Sequence, residues 1–212
     1  MPLKHRFIVL DGCEGAGKTT QLGRLAEALR AAGEHLLVTI EPGGTTIGNA
    51  VREILLSPNH AEMTPLTEIF LFCASRAQHC DEVIRPALEA GQIVLCDRFS
   101  ASTFAYQGHA GGAGVELVER LDAEATRGLV PDMTIILDLP PEEGMRRKFG
   151  HGPAGDTADR IERNQIEFHR SVREGFHEYA RRYARRTAVL DASVPEAKLF
   201  EAICEAIGLS KQ

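Results

Sequence analysis

The chain has 212 residues and no apolar run approaching the length of a membrane span; its N-terminal apolar stretch, which ends before Asp11, is far too short for the hydrophobic region of a signal peptide. These absences predict a cytoplasmic protein with no membrane partner. Positive charge is not in excess either. The formal net charge of -6 argues against a surface that neutralises long stretches of nucleic-acid backbone, so no nucleic-acid polymer is expected as a partner. The five cysteines, Cys13, Cys73, Cys80, Cys96 and Cys204, show neither CxxC nor Cys/His metal spacing and read as buried reduced thiols. Internal repeats and low-complexity linkers are missing, and the length suits one domain over 1–212.

What is present is alternation. Phe7 to Leu10, His35 to Ile40, Ile93 to Cys96, Thr134 to Leu139 and Thr187 to Leu190 are short β-rich runs separated by helical patterns, which predicts an α/β fold with a five-stranded parallel sheet flanked by helices. Four of the runs are almost wholly apolar, as strands buried on both faces are. One helix is predicted from about Gly17 to Ala32 with Gly33 as its stop. Another starts at Thr64-Pro65 and runs towards Leu88, with Leu66, Ile69, Phe70, Cys73, Ala77, Cys80 and Ile84 as its apolar stripe. Asp159 and Glu162 have capping-box spacing at the start of a long helix whose seam is Phe168, Val172, Phe176, Tyr179 and Tyr183. The arginines at its end, Arg181, Arg182, Arg185 and Arg186, read as a solvated face.

Gly12-Cys13-Glu14-Gly15-Ala16-Gly17-Lys18-Thr19 fits GxxxxGK[ST] and stands between the first strand and the first helix, the setting of a phosphate-binding loop. Such a loop wraps a triphosphate in backbone N–H groups, with Lys18 on the outer phosphates and the Thr19 hydroxyl, followed by Thr20, at a magnesium ion. The chain is therefore read as a P-loop NTPase that binds ATP or GTP. Cys13 is expected to face away from the ligand.

Phosphoryl transfer needs alignment and charge neutralisation more than covalent help, so cations and metal ligands are the informative residues. The loop itself supplies no arginine. The stretch Arg146 to Pro153 is basic and then glycine-rich, as a mobile lid over about 146–158 would be, and Arg146, Arg147 and Lys148 are its candidate cations; a solvated helix surface would use the same residues. Two loops at the carboxyl ends of strands, Glu41 to Thr45 and Asp97 to Gly108, are rich in functional side chains. Asp97 suits magnesium or its water and Arg98 a phosphate, or the two form a local ion pair. Phe72 and Arg76 share one side of a helix. Either the ring stacks on a base that Arg76 hydrogen-bonds, or a structural ion pair neutralises Arg76.

GCEGAGKT at 12–19, EPGGT at 41–45, ASR at 74–76, DRF at 97–99, STFAYQG at 102–108, PD at 131–132 and DRIE at 159–162 together resemble the thymidylate kinases of the bacterial kind, over nearly the whole chain. The resemblance implies a nucleoside monophosphate kinase fold with a lid, phosphoryl transfer from magnesium ATP to dTMP on the route to dTTP, and a homodimer. It also implies that Glu14 holds the sugar 3′-hydroxyl, Phe72 stacks on thymine and Arg76 bonds its carbonyl. Arg98 and Arg52 would grip the acceptor phosphate, Thr103 and Gln107 would bond the pyrimidine edge, and Tyr106 would crowd the sugar 2′ position; Glu41 joins this dTMP-binding set.

Two departures bear on catalysis. Bacterial members commonly carry an arginine where this chain has Ile40, and the lid is longer than usual, with Phe149 and His151 where arginines are often found. Arg147 therefore becomes the leading lid catalyst and Arg160 the second, both counted with the ATP-binding residues. Lys18, Arg98 and Asp97 complete the catalytic set, with Thr19 and Asp97 as metal ligands. Another nucleoside or nucleoside monophosphate kinase on the same scaffold is the nearest rival. A P-loop regulatory ATPase is a second, against which stand the lack of an NKxD segment and of a second lysine in the loop.

Overall fold

A computed structural model of the chain describes residues 5–150 and 158–209. In chain order its elements are β1 (Phe7–Gly12), α1 (Lys18–Ala31), β2 (Leu36–Ile40), α2 (Thr46–Leu56), α3 (Pro65–His79), α4 (Arg85–Glu89), β3 (Ile93–Asp97), α5 (Ser100–Thr103), α6 (Val115–Thr126), β4 (Met133–Asp138), α7 (Pro141–Phe149), α8 (Ile166–Arg182), β5 (Thr187–Asp191) and α9 (Glu196–Ile207). Short 3-10 turns at Pro58–His60 and Ala184–Arg186 and π-helical segments at Cys80–Ile84 and Phe104–Ala110 join them.

The five strands form one parallel sheet in the order β2-β3-β1-β4-β5, at the positions the apolar runs predict. Fewer of them are buried on both faces than the four expected. Only β1, β3 and β4 are, whereas β2 and β5 are edge strands that leave Val38 and Val189 each 39% exposed. On one face α1 and α9 pack Leu25, Leu29, Ile203 and Ile207 against Ile8, Leu10 and Leu137. On the other, Phe7, Val9 and Cys96 meet Ile84 and Phe99, and a third cluster joins Phe104 and Tyr106 to Val172, Phe176 and Tyr179 of α8. Burying a side chain of this size stabilises by roughly 1.5 to 3 kcal/mol. Among the described residues no helix is long and apolar enough to cross a membrane.

α1 ends as expected, with Gly33 at φ 84° just beyond its cap. α3 also starts where predicted, its Thr64 side chain accepting from the Thr67 N–H, and it continues through the π-helical turn at Cys80–Ile84 into α4. Its inward face differs from the apolar stripe. Ile69, Phe72, Ser75, Arg76 and His79 are buried, while Leu66 and Phe70 are 48% and 52% exposed, because the interior beside β2 holds a polar network that Ser75, Arg76 and His79 join.

Within the expected loop from Asp97 to Gly108, residues 100–108 are helical, and the helical run continues to Ala110, since Phe104, Ala105, Tyr106 and Gln107 are all buried and the segment packs on α8. The Asp159–Glu162 pattern does form a capping box: Asp159 Oδ1 accepts from the Glu162 N–H and Glu162 Oε2 from the Asp159 N–H. It closes a turn and not the long helix, which begins only at Ile166. Of the expected lid, Arg146, Arg147 and Lys148 lie in α7, and residues 151–157 fall outside the described residues.

α8 is tied to the carboxyl edge of the sheet by Arg173, which donates to both Asp138 oxygens at 2.7 and 2.8 Å, with His177 at 3.2 Å. Burial works to raise the Asp138 carboxyl, but the Arg173 hydrogen bonds and charge outweigh it and hold it below its ordinary 3.8. The stabilisation is thus fully present above that value and is lost as pH falls through the lower folded pKa. Asp138→Asn should cost about 1 kcal/mol at neutral pH, discounted for the partly exposed arginine. Denaturant titrations of both proteins at neutral and strongly acid pH should show the deficit shrinking below pH 3.8.

Candidate active site

β1 delivers its last residues to a loop that α1 closes, and the conformation of that loop is set by close backbone contacts. A Cβ on Gly15 would lie 2.2 Å from the Gly144 carbonyl oxygen of α7, and one on Gly144 would lie 2.1 Å from the Glu14 carbonyl oxygen, so only two glycines allow α7 to rest on the loop. Lys18 curls back and donates from Nζ to the Gly12 and Cys13 carbonyls at 3.0 and 2.8 Å. Burial, with Arg98 nearby, lowers its pKa. The Cys13 side chain faces away into the cluster with Val172, where burial pushes the thiol up to about 11.

Asp11, fully buried, joins the loop to the turn after β3. Its Oδ1 accepts from the Gly12 N–H at 2.9 Å and the Ser102 hydroxyl at 2.6 Å, and its Oδ2 from the Phe99 and Ser102 N–H groups at 3.3 and 3.0 Å. Burial raises this carboxyl, against the opposing pull of Arg98. Between these anchors Arg98 has φ 69°, a left-handed conformation uncommon for a residue with a side chain and one that clusters at functional sites. Its guanidinium reaches Ser102 at 3.1 Å and Glu14, which also accepts from Lys148 at 3.1 Å; Lys148 in turn pairs with Glu162. Burial alone would raise the Glu14 carboxyl, but Arg98, Lys18 and Lys148 outweigh it and hold it far below the usual range.

Asp97 lies beside this cluster. Its Oδ2 accepts from the Thr19 hydroxyl at 3.3 Å, while Oδ1 is buried without a hydrogen-bond partner. Among the described residues no group of three His, Cys, Asp or Glu side chains is set to hold a metal ion by itself. A hard cation that takes one carboxylate, one hydroxyl and phosphate oxygens fits such a pair.

A cavity of about 350 Å³ connects these groups with a more apolar end. Glu14, Gly15, Gly17, Lys18, Thr19, Thr20, Asp97 and Arg98 line it on the loop side, and Ile40, Glu41, Arg52, Phe72, Tyr106 and Gln107 on the other. Arg52 donates to the Pro42 carbonyl at 2.8 Å. Behind Phe72, Arg76 is 1% exposed and donates to Glu41 at 2.7 Å, Asp122 at 2.6 Å and the Thr103 hydroxyl at 2.9 Å. Burial disfavours its charge, but Glu41 and Asp122 outweigh that and raise its pKa. Of the two readings of Arg76, the structural ion pair is the one seen, and neither Arg76 nor Thr103 is part of the cavity wall.

Gly12, Cys13 and Ala16 form the body of the loop and not the wall. The two lid candidates are also outside it. Arg147 donates to Glu143 at 2.9 Å and to the Ala192 carbonyl at 3.0 Å, and Arg160 to the Leu55 carbonyl at 2.9 Å and to Glu68. The α7 cation in the wall is Lys148, together with Asp159, Ile161 and Glu162. Sequence reasoning missed Asp11, Ser102 and Glu162 as site residues. A carboxylate near the end of an otherwise apolar strand was the one available signal for Asp11, while Ser102 and Glu162 stood in the STFAYQG and DRIE motifs without a role of their own.

A family model described as thymidylate kinase matches residues 10–203. This chain belongs to that family. The thymidylate kinase of Deinococcus radiodurans is 49% identical over 201 residues, covering 95% of each chain, and that of Desulfosudis oleivorans is 46% identical, covering 91% of this chain and 92% of the relative. The crystal structure of thymidylate kinase from Ehrlichia chaffeensis superposes with a TM-score of 0.75 at 30% identity, covering 95% of this chain and 97% of that one. The five-stranded parallel sheet with flanking helices is thus the P-loop nucleoside monophosphate kinase fold, and the chain is an enzyme of the thymidylate kinase family.

The Gly15–Gly144 contact gives a direct test of the loop's dependence on α7. Gly144→Ala should push α7 off the loop and lower kcat/KM about a hundredfold, the cost of a misplacement near 1 Å. Turnover measured beside the thermal midpoint checks this, and turnover equal to that of the original chain would mean the contact does not set the loop.

Proposed function

We propose that the enzyme transfers the γ-phosphoryl group of ATP to dTMP, releasing ADP and dTDP. The observation that carries this reading is the single cavity that runs from the amides and Lys18 of the phosphate loop, past Arg98, to the Phe72 ring. Its two ends suit a triphosphate and a mononucleotide, with the cations between them where charge develops during transfer.

At the acceptor end Phe72 stacks on the thymine, Gln107 bonds its edge, and Arg76 and Thr103 back that wall from behind. Arg98 and Arg52 take the acceptor phosphate, Glu14 the 3′-hydroxyl, and Tyr106 fills the space a 2′-hydroxyl would need. An acceptor phosphate oxygen then attacks the γ-phosphorus in line as the bond to the ADP oxygen breaks, while Lys18 neutralises the outer phosphates. Thr19 and Asp97 hold Mg2+, which supplies Lewis-acid neutralisation of phosphate charge; the unpartnered Asp97 Oδ1 supports this. For the remaining cation we assign Arg147, since its pairing with Glu143 is partly exposed, with side chains 34% and 30% accessible, and its planar fork suits phosphates. All five cysteines are free thiols, which supports a reducing, cytoplasmic setting.

ADP release measured with dTMP, dUMP, dCMP, AMP, GMP and thymidine as acceptors tests the assignment: dTMP should turn over best, and best turnover with any other acceptor defeats it. Arg147→Ala should lower kcat about a thousandfold with the KM for dTMP little changed. If Lys148→Ala has that effect and Arg147→Ala does not, the role passes to Lys148.

A homodimer is part of the same reading. Ile47 and Ile54 of α2 and Leu66 and Phe70 of α3 are 43% to 54% exposed on two helices that pack together, and exposed apolar side chains of this kind suit a protein–protein contact. Phe70→Glu should shift the mass measured by light scattering from two chains to one, and an unchanged mass would remove α3 from the interface.

A further inference from the structure

Gln107 is 3% exposed in the cavity wall, and its side-chain nitrogen donates to Glu68 Oε1 at 2.7 Å. A carboxylate has no hydrogen to give, so the end of the amide that meets Glu68 is the NH2 end. The other oxygen of Glu68 pairs with Arg160. Arg160 is immobilised in turn, through Nε to the Leu55 carbonyl at 2.9 Å and through its N–H to the Leu56 carbonyl at 3.1 Å. Both members of the Glu68–Arg160 pair are mostly buried, with side chains 16% and 14% exposed. Glu68 itself is absent from the cavity wall. The NH2 end of Gln107 is therefore spent on a residue behind the wall, and the amide oxygen is the end left for an occupant.

We infer that Glu68, held by Arg160, is a positioning residue for specificity: it fixes the Gln107 amide so that the pocket presents an acceptor and selects a pyrimidine carrying N–H at ring position 3. This rests on the proposed seating of a pyrimidine against Phe72. A free glutamine amide turns over at little cost and can offer either its oxygen or its NH2 to a ligand. Facing Glu68, the turned form would set two oxygens against each other with no proton between them, at a cost of about ten- to a hundredfold in population. Thymine and uracil carry hydrogen on N3 and satisfy the fixed oxygen. Cytosine has a lone pair there, and its ring would meet acceptor with acceptor. The same chain of contacts gives Arg160 a place in base selection and not among the donor phosphates.

The test is the ratio of kcat/KM for dTMP to that for dCMP, with magnesium ATP as donor. Glu68→Gln keeps the shape of the side chain but offers either an oxygen or an NH2 group to Gln107, so the amide is free to turn; the ratio should fall about tenfold or more, through a higher KM for dTMP and a lower one for dCMP. A merely structural role would lower both acceptors in parallel and leave the ratio unchanged, which would overturn the inference. The exchanged pair Glu68→Gln/Gln107→Glu restores a group in the wall that can only accept, and should return the ratio towards dTMP; failure to do so also overturns it. Should Glu68→Gln not be folded at the assay temperature, Arg160→Gln replaces it and should move the ratio the same way by a smaller factor, an unmoved ratio again counting against the inference. An original chain that phosphorylates neither acceptor refutes the proposed function, and with it the pocket on which the selection rests.

Discussion

The separation between the phosphate loop and the Arg98 turn is held by one buried carboxylate, that of Asp11. Four hydrogen bonds converge on its two oxygens, one from the loop and three from the segment after β3, so the ends of two adjacent strands are fixed to each other at the point where the sheet opens. This is the carboxyl edge at which open α/β sheets bind ligands. The left-handed backbone of Arg98 is tolerated because its surroundings over-determine it: its N–H donates to the Leu10 carbonyl at 2.9 Å and its side chain is held at Ser102 and Glu14.

Charge burial is the second theme, and it is solved by mutual satisfaction. Arg76 would be untenable alone at 1% exposure, but each arm of its guanidinium meets Glu41, Asp122 or Thr103, and Glu41 has His79 on its other oxygen at 2.9 Å. Removing one partner from such a set strands a charge and typically costs about 3 to 5 kcal/mol. The network joins β2, α3, α5 and α6, so the loop of Glu41 and Pro42 is braced from behind while its front faces the cavity.

The sequence made the local and periodic features legible. The glycine pattern at 12–19 identified the phosphate loop, and alternation of apolar runs with helical patterns placed all five strands. Features that depend on distant partners were not readable. The ligands of Arg76 stand 27 to 46 positions away, which is why α3 turns polar residues inward and leaves Leu66 and Phe70 outside, against the stripe its apolar residues suggest. Arg147 and Lys148 are neighbours in composition and charge, yet successive residues on a helix point in different directions. Only the seating of α7 on Gly15 decides that Lys148 is the one in the cavity wall. The Asp159–Glu162 box was recognisable as a cap but not as the cap of a turn, because the spacing is the same in both.

The cavity's cations are held by two unequal kinds of tether. Lys18 and Arg52 rest on backbone carbonyls, neutral dipoles that a dianionic guest outcompetes without displacing any counter-charge. Arg98 and Lys148 are clasped by carboxylates that must be repelled or reoriented before a guest gains their full attraction. Capture of the guest therefore falls first to the loosely moored pair, while the firmly moored pair keeps the vestibule's outline intact between visits.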